Sequence, residues 1–201
     1  MFTLIICAVL LMVHQVQCSM KAVAVLYGDN SPTSYGSLTF SQADAGAPVR
    51  ITGTLSGLNV SSAHGFHVHV YPVSDGTPNC TAAGGHFNPY NVTHGSETGN
   101  LRTRHVGDLG NITTNANGEV TIDRTDIIIQ LYNTTQSIMN RTIVVHRMRD
   151  DGGQSGAPDS TTTGNAGARV LCGLIKSVAV HMQPTMFILF TILTIVFMQL
   201  F

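Results

Sequence analysis

Five histidines, His67, His69, His86, His94 and His105, fall between Gly65 and Asp108, and Asp108 follows His105 by three residues. Imidazole is the commonest metal ligand, and a carboxylate completes many sites built from it. His67 and His69 lie two apart in Phe66 to Tyr71, a run with strand character. Side chains two apart on a strand share a face, so both rings can aim at one centre. His86, His94 and His105 sit in sequence rich in Gly, Asn and Pro. The density of imidazoles in one segment points to a metal site rather than to scattered surface histidines.

The surrounding chain reads as short strands. Ala22 to Tyr27, Gly36 to Ser41, Val49 to Leu55 and Phe66 to Tyr71 have β-rich or alternating apolar character. So do Arg104 to Val106, Glu119 to Asp123, Ile127 to Leu131, Thr142 to His146 and Ala168 to Ile175. Two long stretches, Pro72 to Arg102 and Arg149 to Gly167, have little strand pattern. Loops of that length inside one domain are commonly functional, and bound metal could hold the first in place of a hydrophobic core. No amphipathic helix, internal repeat or second domain stands out. The expectation is an all-β antiparallel sandwich or barrel.

Of the 201 residues only 10% are charged, Trp is absent, Gly numbers 20 and the net charge is −1. No basic surface for nucleic acid follows from that balance. Both ends are apolar. Residues 1–18 read as a secretory signal peptide cleaved after Cys18, though without Lys or Arg ahead of the apolar run. Residues 178–201 form a hydrophobic tail ending in the uncharged run Met186 to Phe201. As a helix that run spans about 24 Å, short of a hydrocarbon core of roughly 30 Å. A lipid (GPI) anchor signal with attachment near Ser177 fits best, with a short transmembrane helix as the alternative. The domain then occupies 19–177, and the protein is expected outside the cell, held to the plasma membrane by this end. Loss of Cys7 and Cys18 leaves Cys80 and Cys172 as an even pair in an oxidising compartment, which favours a disulfide. Asn59, Asn79, Asn91, Asn111, Asn133 and Asn140 each begin an Asn-x-Ser/Thr sequon. Asn79, beside Cys80, is the poorest acceptor of the six.

The motifs GFHVH (Gly65 to His69), GGHFNP (Gly84 to Pro89), RHVGDLGN (Arg104 to Asn111), VVH with DDGG (Val144 to Gly153) and GNAGARVLCG (Gly164 to Gly173) resemble copper/zinc superoxide dismutase, in order and spacing, over Lys21 to Lys176. The resemblance implies an eight-stranded antiparallel Greek-key β-barrel, immunoglobulin-like in its sandwich architecture, with two long functional loops. It implies His67, His69, His86 and His146 as copper ligands and His86, His94, His105 and Asp108 as zinc ligands, with the His86 ring bridging the metals. It also implies the Cys80–Cys172 disulfide, Asp150 linking His67 to His94, His64 as a structural histidine beneath the copper, and Arg169 as the group that attracts and orients an anion.

The activity implied is disproportionation of superoxide to dioxygen and hydrogen peroxide by alternate reduction and oxidation of copper. The loop before the GNAG motif lacks the family's lysines, while Arg147 and Arg149 follow His146. Arg149 is therefore expected to share substrate steering with Arg169. A homodimer is the family arrangement, against which stand Pro72 and a sequon at Asn140 near the usual pairing surface. The competing function is a cell-surface copper-binding module without significant turnover.

Overall fold

Alternation builds the barrel wall. In the computed structural model, which describes residues 19–132 and 134–178, Ala22, Ala24 and Leu26 point inward from strand β1 (Met20–Gly28). Leu38 and Phe40 do so from β2 (Ser34–Gln42), and Val49, Ile51 and Leu55 from β3 (Val49–Leu55). β4 (Ala63–His69), β5 (Asp108–Thr113), β6 (Val120–Asp126), β7 (Thr142–His146) and β8 (Arg169–Leu174) complete eight barrel strands. A two-residue strand, β9 (Lys176–Ser177), pairs with β1.

Every neighbouring pair is antiparallel, in the order β5-β4-β7-β8-β1-β2-β3-β6. The crossovers from β3 to β4 and from β6 to β7 give the Greek-key path. The two outer strands, β5 and β6, approach each other and nearly close the barrel. Phe40, Phe66, Leu109, Ile129 and Ile143, each at most 1% exposed, lie among the residues that fill it.

β4 and β7 are covered on both faces along nearly their whole length. Phe66 and Val68 fill the barrel, while Gly65, His67 and His69 face the long loops outside it. On β7, Ile143 and Val145 enter the main core, and Val144 joins a smaller cluster of Val73, Cys80, Ala83 and Cys172. Register then sets the site: His67 stands opposite Asp108, and His146 opposite Arg169.

Several sequence expectations shift. The strand expected at Phe66 to Tyr71 ends at His69, because Val70 and Tyr71 turn to donate their N–H groups to Gly85 and Ala83. Arg104 to Val106 is not a strand: a turn closed by Asp108 N–H to His105 C=O precedes β5. Ile127 to Leu131 is a loop, since the Asp126 carboxylate accepts the N–H groups of Ile128 and Ile129 at 2.7 and 2.8 Å. That Asx turn ends β6 and leaves Ile127 74% exposed. The first long loop contains a 3-10 turn, Cys80–Ala83, capped by the Asn79 side chain. The second contains a single helical turn, α1 (Ser160–Thr163).

The signal segment with Cys7 and Cys18, the apolar tail beyond Val178 and the Asn133 sequon lie outside the described residues. No helix among the described residues is long and apolar enough to cross a membrane.

Cys80 and Cys172 form a disulfide across 92 residues of chain, joining the first long loop to β8. In the chain-entropy picture a closed loop of that length stabilises the fold by about 4–5 kcal/mol. The double variant Cys80→Ser/Cys172→Ser is expected to lower the unfolding free energy by roughly 2–5 kcal/mol. A denaturant titration checks this, and an unchanged midpoint would contradict it.

Candidate metal centre

Four imidazoles from three segments converge at the outer face of β4. His67 and His69 come from β4, His146 ends β7 and His86 follows the 3-10 turn; one ring nitrogen of each lies within 4.8 Å of the others. The remaining nitrogens are engaged. His67 Nε2 donates to Asp150 Oδ2 at 2.8 Å, His69 Nδ1 to the Gly84 carbonyl at 2.9 Å, and His146 Nδ1 to the Gly167 carbonyl at 2.9 Å.

Those bonds set the tautomers, so each inward nitrogen carries a lone pair. His69 Nε2 and His146 Nε2 are only 3.3 Å apart, lone pair against lone pair. His67 Nδ1 and His86 Nε2 are buried with no hydrogen-bond partner. A buried, unsatisfied polar atom costs about 1–3 kcal/mol. A cation at the focus of the four would remove all of these penalties together.

The second cluster shares His86. The Nδ1 atoms of His86, His94 and His105 stand 2.8, 3.0 and 3.0 Å from one atom, Asp108 Oδ1. His94 Nε2 donates to Asp150 Oδ1 at 2.8 Å, and His105 Nε2 to the Val92 carbonyl at 3.1 Å. In the neutral rings their Nδ1 atoms therefore also present lone pairs, and His94 Nδ1 has no hydrogen bond despite its closeness to the carboxylate. Asp108 Oδ2 is occupied by the N–H groups of Gly95 and His105. Three nitrogens and one carboxylate oxygen remain, the donor set a tetrahedral Zn²⁺ accepts. The all-imidazole set suits Cu²⁺. The residues present thus fit both metals.

Asp150 ties the clusters together, holding His67 with one oxygen and His94 with the other. The chain can pass beside it only as glycine: a Cβ on Gly164, at φ +66°, would lie 2.0 Å from Asp150 Oδ1. His64 faces away from both clusters, with Nδ1 2.8 Å from the His146 carbonyl. Arg169 extends from β8 to the loop and donates to the carbonyls of Cys80 and Gly84 at 2.7 and 2.5 Å. Gly84 thus holds both His69 and Arg169. Arg149 is exposed and lines a cavity of about 400 Å³ with Ser96, Glu97 and Asp151.

Two contributors escaped the sequence reading. Arg104, 1% exposed, bonds Asp126 Oδ2 and the Asp108 carbonyl, both at 2.5 Å, and so anchors the turn that presents Asp108. Asn111, read only as a sequon, holds the Asp150 backbone with its side chain. No local pattern distinguishes either one.

Electrostatics favour neutral imidazoles in the first cluster. Burial, followed by the neighbouring His86, holds His67 and His69 well below the ordinary 6.5, and burial takes His146 down to about 4. Burial also works against protonating His94, but the adjacent carboxylates of Asp108 and Asp150 outweigh it and carry that ring up to about 9. For Asp108 burial is outweighed by His105, His86 and His94, which keep the carboxyl well below the usual range.

Below pH 6.5 the unfolded chain takes up protons that folded His67, His69 and His146 refuse. The metal-free protein therefore loses stability as pH falls from about 6.5 to about 4. The contribution of His94 is fully present below pH 6.5 and is lost only as pH rises toward about 9. Thermal melts of the metal-free chain across pH 4 to 6.5 check this; a flat or rising Tm on acidification would contradict it.

Comparison with known proteins agrees with this geometry. The family model "Copper/zinc superoxide dismutase (SODC)" matches residues 34–175. A Cu-Zn superoxide dismutase of Cryptococcus neoformans var. grubii is 45% identical over 155 residues, covering 77% of this chain and 96% of the relative. Those of Neurospora crassa and Humicola lutea are each 44% identical over 155 residues, covering 77% of this chain and 96% and 97% of theirs. Superoxide is the family's substrate, and copper and zinc are its metals. With a match over most of its length and both donor clusters in place, the chain belongs to the copper/zinc superoxide dismutase family.

Proposed function

We propose that His67, His69, His86 and His146 hold the copper of this dismutase and that His86, His94, His105 and Asp108 hold its zinc. The observation that carries the assignment is the His86 ring, with Nε2 turned to one cluster and Nδ1 to the other. When bound, copper supplies a one-electron couple and zinc a fixed positive charge.

The protein's own groups do the rest. Arg169, anchored by two backbone carbonyls, draws superoxide to the face formed by His69 and His146 and orients it. Burial lowers its guanidinium somewhat, with the charge of Asp29 acting the other way, and the group stays charged. His86 holds or releases a proton at Nε2 and so can deliver one to reduced substrate. Asp150 keeps His67 and His94 in one tautomer throughout. Arg149 adds positive field near the loop surface.

The same reading places the enzyme outside the cell. Residues 1–18 direct export, 19–177 form the enzyme, and 178–201 attach it to the plasma membrane through a lipid anchor. Support comes from the apolar ends, from a disulfide of the kind exported proteins keep, and from exposed sequon asparagines at Asn59, Asn91 and Asn140. Homodimers form where Asn140 carries no glycan.

Metal analysis with a superoxide-consumption assay tests the assignment. The wild-type chain is expected to hold about one copper and one zinc with fast turnover. His146→Ala should lose copper and turnover while keeping zinc, and His105→Ala should lose zinc. Copper retained by His146→Ala would contradict the ligand set. Metal without turnover in the wild type would favour the copper-binding module. Arg169→Ala is expected to slow turnover about tenfold or more and flatten its dependence on salt, with a smaller change for Arg149→Ala. An unchanged salt slope in Arg149→Ala would remove that residue from steering. Phosphatidylinositol-specific phospholipase should release the activity from cells; activity that stays in the membrane would contradict the lipid anchor.

A further inference from the structure

Both polar atoms of the Asn111 side chain are spent on one residue. The Asp150 N–H donates to Asn111 Oδ1 at 2.8 Å, and Asn111 Nδ2 donates to the Asp150 carbonyl at 2.9 Å. Among the described residues neither backbone group of Asp150 has another hydrogen-bond partner. Asp150 is 3% exposed, so this one amide satisfies the backbone of a buried residue at both ends. Asn111 is itself held firmly. It pairs with Gly65 across β4 and β5, and its carbonyl accepts from Arg124 Nη1 at 3.2 Å.

We propose that Asn111 is the positioning residue that sets the Asp150 carboxylate, and through it one ring in each metal cluster, and that this role withdraws its Asn-Ile-Thr sequon from glycosylation. The chain of contacts is short: the Asn111 amide, the Asp150 backbone, the Asp150 carboxylate, then His67 and His94 at 2.8 Å each. The carboxylate takes one further bond, from the Gly152 N–H at 2.7 Å. That bond comes from the same loop and moves with it, whereas Asn111 refers the loop to the barrel wall.

Glycosylation would exchange one Nδ2 hydrogen for a sugar carbon on an amide whose two polar atoms are already bound and whose residue is half-buried. The asparagines at Asn59, Asn91 and Asn140 are exposed. Removing the amide need not collapse the fold. Asn111 and Asp150 line the cavity of about 400 Å³ beside Arg149, and water there can reach the freed backbone groups. The loss then falls on the orientation of Asp150.

The first half of the proposal rests on the dinuclear assignment and the second on export. Full chains of wild type, Asn111→Ala, Asn111→Asp and Thr113→Ala are loaded with zinc, and release to a chromogenic chelator is timed alongside thermal melts. Asn111→Ala is expected to release zinc at least about tenfold faster than wild type. Asn111→Asp, which keeps an acceptor for the Asp150 N–H but opposes its carbonyl, should fall between. Thr113→Ala destroys the same sequon, leaves the amide in place and should release zinc as wild type does. Release at the wild-type rate from Asn111→Ala overturns the positioning role alone. A wild type that takes up no zinc overturns the dinuclear assignment and this proposal with it. Peptide mapping of secreted wild type should find Asn111 bare; a glycan there in chains that hold zinc overturns the proposal.

Discussion

Lone pairs facing one another inside a sealed site are the constraint on which this structure depends. His69 Nε2 and His146 Nε2 meet at 3.3 Å, and three imidazole nitrogens crowd Asp108 Oδ1 within 3.0 Å. In water such groups would take protons or solvent. Here the outward nitrogens of His67, His69, His94, His105 and His146 are pinned to a carbonyl or carboxylate, so in their neutral forms these five rings turn acceptors inward, while His86 has both nitrogens inside. A cation in each cluster would answer that arrangement, and a single ring, His86, faces both clusters.

The barrel makes this affordable in conformational terms because the rings are placed by register. β4 carries His67 and His69 on its outer face while Phe66 and Val68 lock the inner one. β5 brings Asp108 opposite His67, and β8 brings Arg169 opposite His146. The remaining donors come from loops, which need other restraints. The disulfide and the small cluster around Val73 and Val144 hold the first loop. The buried Arg104 holds the turn before β5, and the Asp150 carboxylate holds the second loop against both clusters. Rigidity of the donors, rather than their number alone, separates a redox centre from a loose copper sponge.

What could be read from sequence followed the range of each interaction. The His67–His69 spacing is local, and so is the alternation of Val49 to Leu55, which is observed as β3 with the same bounds. Thr142 to His146 likewise appears unchanged as β7. Asp150 sits 83 and 56 residues from the rings it binds, so only family resemblance pointed to it. Ile127 to Leu131 has the composition of a strand, yet the Asp126 side chain captures its first N–H groups and bends it away. The strand expected at Arg104 to Val106 forms instead at Asp108–Thr113, because a buried guanidinium fixes the turn before it. Asn111 carries a glycan-acceptor pattern in its neighbours, while its amide is committed to a residue 39 positions away.

The most direct test of the shared ring is spectroscopic. Cobalt is placed in the zinc cluster of the metal-free chain, and its visible bands are followed while copper is added. A ring common to both sites requires the cobalt bands to shift as the first equivalent of copper binds, and His86→Ala should abolish the shift while leaving the other ligands in place. Cobalt bands that stay fixed in the wild type through a full equivalent of bound copper would mean that the two clusters do not share His86.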